Sequence, residues 1–260
     1  MKWSTRILIA MFIIMVLGLV ISNIILKKAF DKLDKSDTYW NFGKVFEQPF
    51  KYLKIDGGNV TQIAFEQSPH YSVRVLHEWQ RIRGNPIESF VKNDTLYLHF
   101  TFNTEDEGES NWMKHMTLVR IFSPELLYVG GVNTNFGMFK LRQKNLSVNM
   151  SGRSTFEVES FIPNLDSLSI IQKDSSEVVF EMSPEYKPIV TAAKTLVAIE
   201  AGKSQSNEAM TIQSVNANLE GHTLLDIGHA QIQSLKLNIA DTSGIILSGG
   251  TLQTFRRQKF

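Results

Sequence analysis

The sequence predicts an all-β protein behind a single N-terminal transmembrane helix, and three observations carry that prediction. An uncharged apolar run fills Ile7 to Leu26. From Phe50 onward, apolar residues recur with the two-residue period of a strand and not the period of a helix. The second half then repeats one strand–corner–strand formula, which points to the stacked coils of a β-solenoid. An antiparallel β-sandwich is the structural rival, because regular hairpins produce a similar pattern. The order along the chain is a transmembrane signal anchor at 1–26, a polar stalk at 27–48, a β-solenoid at 49–255 and a basic tail at 256–260.

The anchor is the clearest element. Of the 20 residues from Ile7 to Leu26, 14 are Ile, Leu, Val or Phe, including Ile7, Leu8, Phe12, Leu17, Val20 and Leu26. As a helix this run spans about 30 Å, the thickness of a hydrocarbon core. A cleaved signal peptide competes, but it would have a shorter apolar region and a small-x-small site after it. Here Lys27-Lys28-Ala29-Phe30 follows instead. Basic residues flank both ends (Lys2 and Arg6 before; Lys27, Lys28, Lys32 and Lys35 after), so positive charge alone divides on orientation. A short tail ahead of a first apolar segment reads as a signal anchor with the C-terminal side exported. The lipid bilayer is therefore the expected partner of residues 7–26. The expected location is an inner membrane with the C-terminal region in the periplasm, the cell surface being the lesser alternative.

Composition excludes several function classes. Lys plus Arg is 27 and Asp plus Glu is 26; past residue 35 the balance is 21 basic against 24 acidic, a formal charge of −3. Such a region does not recruit nucleic acid through its bulk field. There is no Cys, which removes disulfides, thiolate catalysis, Cys-based zinc sites and a lipoprotein anchor together.

The β region can be read in order. Tyr39, Trp40, Phe42 and Phe46 bring aromatic density to the start of the fold, for docking on it or for contact with lipid headgroups. Tyr52-Leu53-Lys54-Ile55 leads through the turn Asp56-Gly57-Gly58-Asn59 to Val60–Phe65. Tyr71–Val75 alternates again, and Asn93-Asp94 is a polar turn feeding Thr95–Phe100. The formula Leu-x-apolar, small polar corner, apolar-x-apolar then starts near Leu127, Leu146, Leu168, Leu196, Leu219 and Leu237. This puts Val148, Ile170 and Ile239 on the inward face. Ser, Thr, Asn, Asp and Gly supply the corners, where they hydrogen-bond locally and tolerate unusual backbone angles.

The runs Phe50–Val60, Tyr71–Val75 and Asn93–Leu98, followed by Leu-x-Val, Ser-Gly, Phe-x-Val coils, resemble the head GIN domain family, also called "putative auto-transporter adhesin". The resemblance covers roughly residues 50–255. It implies a right-handed parallel β-helix in a cell envelope, and the adhesin label is itself an inference within the family. This chain departs from the family pattern at Asn93-Asp94, where a glycine corner is usual, in its sparse Ser-Gly repeats, and in an acidic insert at residues 105–110.

Chemistry is largely absent from the motifs. The six His (His70, His77, His99, His115, His222, His229) form no His-Glu-x-x-His spacing, and no phosphate loop, dinucleotide fingerprint or Gly-x-Ser-x-Gly elbow occurs. Glu157 with Glu159, and Glu177 with Glu181, share strand faces, as polysaccharide-cleaving β-helices require, but solvated outer faces require the same. Glu105, Asp106, Glu107 and Glu109 lack a calcium-loop pattern. The expectation is therefore a non-catalytic protein without metal or cofactor, with a binding, scaffolding or adhesive role toward an envelope protein or a glycan; a polysaccharide-acting β-helix enzyme and an accessory partner of an envelope signalling system are the alternatives. Trp79, Arg81, Arg83 and Trp112 are the candidate recognition surface, since Trp and Arg are enriched at binding hot spots.

Overall fold

A computed structural model describes residues 3–32, 36–83, 87–101, 116–139, 141–159, 164–180, 211–228, 230–247 and 251–252. Two compact units divide the chain, Met1–Phe42 and Gly43–Phe260. The first carries helix α1 (Trp3–Asp31), 29 residues long, apolar along its length and with no buried residue. The helix runs five residues past the predicted end of the membrane segment. By length and composition it can cross a bilayer.

The rest is mostly β. Two open sheets hold strands β1 (Phe42–Phe46), β2 (Tyr52–Asp56), β3 (Gln62–Gln67), β4 (Ser72–Leu76), β5 (Ile87–Lys92), β6 (Thr95–Phe100), β7 (Thr117–Ser123), β8 (Tyr128–Val132) and β9 (Asn135–Phe139). They continue through β10 (Asn145–Ser151), β11 (Thr155–Glu159), β12 (Asn164–Gln172), β13 (Glu177–Val179), β14 (Thr211–Leu219), β15 (Leu224–Asp226), β16 (Gln231–Ile239) and β17 (Gly244–Ile246). Among the described residues, one sheet has nine strands in the order β1-β4-β7-β3-β9-β11-β13-β15-β17; the other has eight, β16-β14-β12-β10-β8-β2-β6-β5. The first β element thus begins at Phe42, inside the segment expected to be stalk.

From β8 to β17 the described strands alternate between the two sheets, and each return pairs parallel to the previous described strand of its sheet. Antiparallel pairing in the recorded registers is confined to β4 with β7 and β5 with β6. The layering is sandwich-like, but its strands are joined mainly by crossovers and not by hairpins. Between β5 and β6 the tight turn is Asn93-Asp94, with φ of 50° and 56°, the left-handed backbone that Asn and Asp tolerate best.

The core is the set of inward rows. In the eight-stranded sheet, Leu96, Leu53, Val129, Val148, Ile170, Ala217 and Leu237 follow one another across the registers. All are buried except Leu237, which lies half-buried on the edge strand β16. The nine-stranded sheet answers with Ile63, Phe136, Phe156, Val178 and Leu225. There Phe136 and Phe156 stack with centroids 5.8 Å apart, and Phe156 lies 6.3 Å from Phe180.

Three expectations need correction. Leu219 ends a strand instead of starting one, because Val215 and Leu235 take the register place of Leu168. Leu237 therefore aligns with Ile170, two residues from its expected place. Ile239 belongs to the same row as Gln172 and Leu219 but is 39% exposed, because among the described residues no strand covers β16 on its far side. A short helix α2 (His77–Arg83) also interrupts the β region where only strands were expected. Leu196 and residues 256–260 lie outside the described residues.

The N-terminal strands depart from sequence order. β2 sits between β6 and β8, and β3 between β7 and β9. After β3 the chain leaves for one side of the first pair, lays down β4 to β7 there, and returns as β8 on the opposite side.

Candidate functional site

The outward face of the eight-stranded sheet is the best-organised surface among the described residues. Its outward positions alternate with the buried rows, and the parallel registers fix which side chains lie beside each other. Tyr52 stands opposite both Thr95 and Tyr128, Lys54 opposite Tyr97 and Gly130, and Phe90 opposite Tyr97. Four aromatic side chains from β5, β6, β2 and β8 therefore gather at one end of the face.

Their geometry is specific. The Phe90 and Tyr97 rings are parallel within 9° at a centroid distance of 4.9 Å, and the Lys54 ammonium lies 5.7 Å from the centre of the Tyr97 ring. The result is a stack of Phe90, Tyr97 and Lys54, with the Phe90 side chain 52% exposed at the sheet edge. Tyr128 folds along its own strand: a Cβ added at Gly130 would stand 2.8 Å from the tyrosine oxygen. Glycine in the middle of this strand therefore makes room for a ring to lie over the backbone. Tyr52, at 38% exposure, completes the group.

Beyond the aromatics the same rows continue as hydroxyl and amide groups. Ser147 is in register with Tyr128 and with Ser169, which faces Asn216; Asn149 follows Gly130, and Asn218 faces Asn238. Asn238 Nδ2 donates to Asn218 Oδ1 at 2.6 Å, and Asn218 Nδ2 donates to Glu220 Oε1 at 2.7 Å. That bond, together with Lys173 at 3.4 Å, holds the Glu220 carboxyl below the ordinary carboxylate range. Two further acids at the margins have partners: Asp56 Oδ2 with His99 Nδ1 at 3.0 Å, and Asp166 with Lys144 at 3.5 Å.

The residues singled out from sequence fare differently. Ile7, Leu8, Phe12, Leu17, Val20 and Leu26 are all exposed on α1. Trp79 is buried, at 6% exposure and 6.3 Å from the Phe100 ring, so its indole belongs to the interior and not to a recognition surface. The reason is α2: at the start of a short helix after β4, residue 79 turns toward the core. Arg81 and Arg83 lie on the same helix, and Trp112 lies outside the described residues, as do Glu105–Glu109, His115, Glu181 and His229. Glu157 and Glu177 occupy neighbouring strands of the other sheet but are offset by two positions, since Glu157 faces Val179. Among the described residues no group of three or more His, Asp or Glu could hold a metal ion.

The aromatic group was missed in the sequence because its members stand 76 residues apart at the extremes, Tyr52 to Tyr128. What could have flagged it was Tyr-x-Gly in Tyr128-Val129-Gly130, an aromatic beside a glycine on one strand face.

No family model and no curated protein matches the chain. Among solved structures, it is similar to a "putative lipid binding protein" from Parabacteroides distasonis, at 13% identity and a TM-score of 0.38, covering 79% of this chain and 92% of that one. It is similar also to a "putative adhesin" from Bacteroides fragilis, at 14% identity and a TM-score of 0.35, over 79% and 95% of the two chains. A "putative cell adhesion protein" from Clostridium sporogenes is similar at 10% identity and a TM-score of 0.26, over 79% and 96%.

Proposed function

We propose that this chain is a membrane-anchored, exported, non-catalytic β-solenoid of the head GIN type, with a binding or scaffolding role in the cell envelope. The observation that carries the reading is the pairing of a fully exposed apolar helix with a separate, all-β unit whose sheets offer long regular faces. An apolar helix 29 residues long with every residue exposed is costly in water and stable in lipid. Strict alternation of parallel strands between two sheets supports solenoid coils, and the strong preference of parallel crossovers for one hand supports a right-handed winding. Coils of this kind present a ladder of outward side chains at about 4.8 Å per strand, suited to an extended ligand or an envelope partner.

Protease accessibility tests the placement. Residues 43–260 are expected to be cut once the outer membrane is opened and spared in intact cells, with the helix retained in the membrane fraction. Cleavage in intact cells would move the domain to the cell surface and raise adhesion above scaffolding. Protection until lysis would overturn the exported topology.

A further inference from the structure

We propose that the outward face of the eight-stranded sheet binds an uncharged polysaccharide, laid across the strands from the aromatic end at Phe90 and Tyr52 along the serine and asparagine rows. The proposal rests on the binding role put forward above and names its ligand class.

Three features of the face select that class. The first is the aromatic end. Sugar rings carry an apolar face of C–H bonds, which packs on the electron-rich face of an aromatic ring. Phe90 has one face against Tyr97 and is 52% exposed on the last described strand of the sheet; Tyr52 is exposed, and Tyr128 lies along the backbone over Gly130. The second is the track beyond it. Ser147, Asn149, Ser169 and Asn216 offer hydroxyls and amides that both donate and accept, as polyol recognition requires. They recur at the strand spacing of about 4.8 Å, comparable with the length of one hexose ring, so successive sugars meet successive strands.

The third feature is charge. Asp166 and Glu220 each have a lysine partner on or beside this face, in Lys144 and Lys173, and Asp56 bonds the His99 ring. Lys54 is engaged with the Tyr97 ring. Lys92 and Lys236 stand at the two ends of the row through Tyr52, Tyr128, Ser147, Ser169 and Asn216, and between them that row carries no charge for a polyanion or a polycation to match. A protein partner, or a second copy of this chain, would need a dry apolar centre. Here the centre of the face is Ser and Asn, with Ile171 on β12 and Val132 at the end of β8 the apolar exceptions.

The test is affinity electrophoresis of the full-length chain in a detergent without a sugar headgroup. Gels contain dextran, glucomannan, xyloglucan or hydroxyethyl cellulose, with alginate as the anionic arm. Retardation by at least one neutral polymer is expected. The double variant Tyr52→Ala/Phe90→Ala is expected to lose about tenfold or more in affinity, in line with the strength of aromatic contacts. Both side chains are exposed, so its melting temperature is expected to match the parent's. Ser147→Glu, which leaves the aromatics in place and puts a charge on the track, is expected to lose retardation too. Val45→Ala, on the other sheet, is expected to change nothing. Retardation by no neutral polymer, by alginate alone, or equally in all variants overturns the proposal. Self-association without glycan that the double variant abolishes overturns it in favour of a second copy. Each of these failures leaves the anchored topology standing, since protease accessibility decides that separately.

Discussion

Gly131→Ala is the sharpest test of how the strands are packed. Gly131 faces inward on β8, in register with Ile55 of β2 and Met150 of β10. A Cβ placed there would stand 2.2 Å from Thr134 Cγ2 and 2.8 Å from Met150 Sδ. Both are well inside van der Waals contact. The methionine can swing away, because its side chain is unbranched and adaptable. Thr134 cannot: it is β-branched, fully buried, and its backbone N–H donates to Ser154 Oγ at 3.1 Å. Overpacking of this kind costs about 1–3 kcal/mol. For a unit of this size that is a fall of roughly 2–4 °C in melting temperature for each kcal/mol. The assay is urea and thermal unfolding of the full-length chain in detergent, followed by the β signal in circular dichroism. Thr134→Ser removes the obstructing methyl and keeps the hydroxyl, so Gly131→Ala/Thr134→Ser should recover stability relative to the sum of the singles. The coupling in that cycle is expected at about 1 kcal/mol or more. If Gly131→Ala unfolds with the parent, or if the two changes simply add, the close packing of β8 against its corner is wrong.

Other outcomes follow from the same geometry. Val148→Asp is expected to unfold the β unit, because an unpaired charge at a fully buried site costs several kcal/mol; Ile239→Asp, on the exposed edge strand, is expected to melt close to the parent, and equal losses would show that the edge is covered. Phe156→Ala is expected to cost about 3–5 kcal/mol in urea unfolding, since it removes the ring that touches both Phe136 and Phe180. Leu17→Arg, at the middle of α1, is expected to move the chain from the membrane fraction toward the soluble one in a carbonate wash, because arginine at a helix centre opposes insertion by about 2.5–3.5 kcal/mol.

Two levels of the fold differ in how far the sequence discloses them. Whether a strand residue faces in or out has period two, so Leu53, Val148 and Ile170 were legible as core from alternation alone. Which residue pairs with which is another matter. A slip of two residues keeps every inward residue inward, so alternation cannot decide whether Leu235 or Leu237 shares the row of Leu168 and Val215, and the observed register differs from the expected one by that amount. Burial at the ends of the stack is likewise invisible, because it depends on whether another strand follows. Ile239 has the pattern of a core residue and the exposure of an edge. Trp79 errs in the opposite direction: surrounded by Glu78, Gln80 and Arg81 it reads as surface, and one turn of helix puts it inside.

The aromatic face shows why a surface of this kind escapes a linear reading. On a stack built in sequence order, Tyr52 would neighbour only the coil that follows it. Here the chain first places β6 on one side of β2 and only later β8 on the other. That excursion makes Tyr52 the common neighbour of Thr95 and Tyr128, and Lys54 the common neighbour of Tyr97 and Gly130. The hairpin at Asn93-Asp94 then brings Phe90 against Tyr97 from the outer edge. None of these contacts is local. Each depends on β2 being inserted between strands that come later in the chain, and the glycine that lets Tyr128 lie flat has no meaning until its neighbours are known. A surface assembled by strand order is thus more sensitive to insertion and deletion between β3 and β8 than to any single substitution on it.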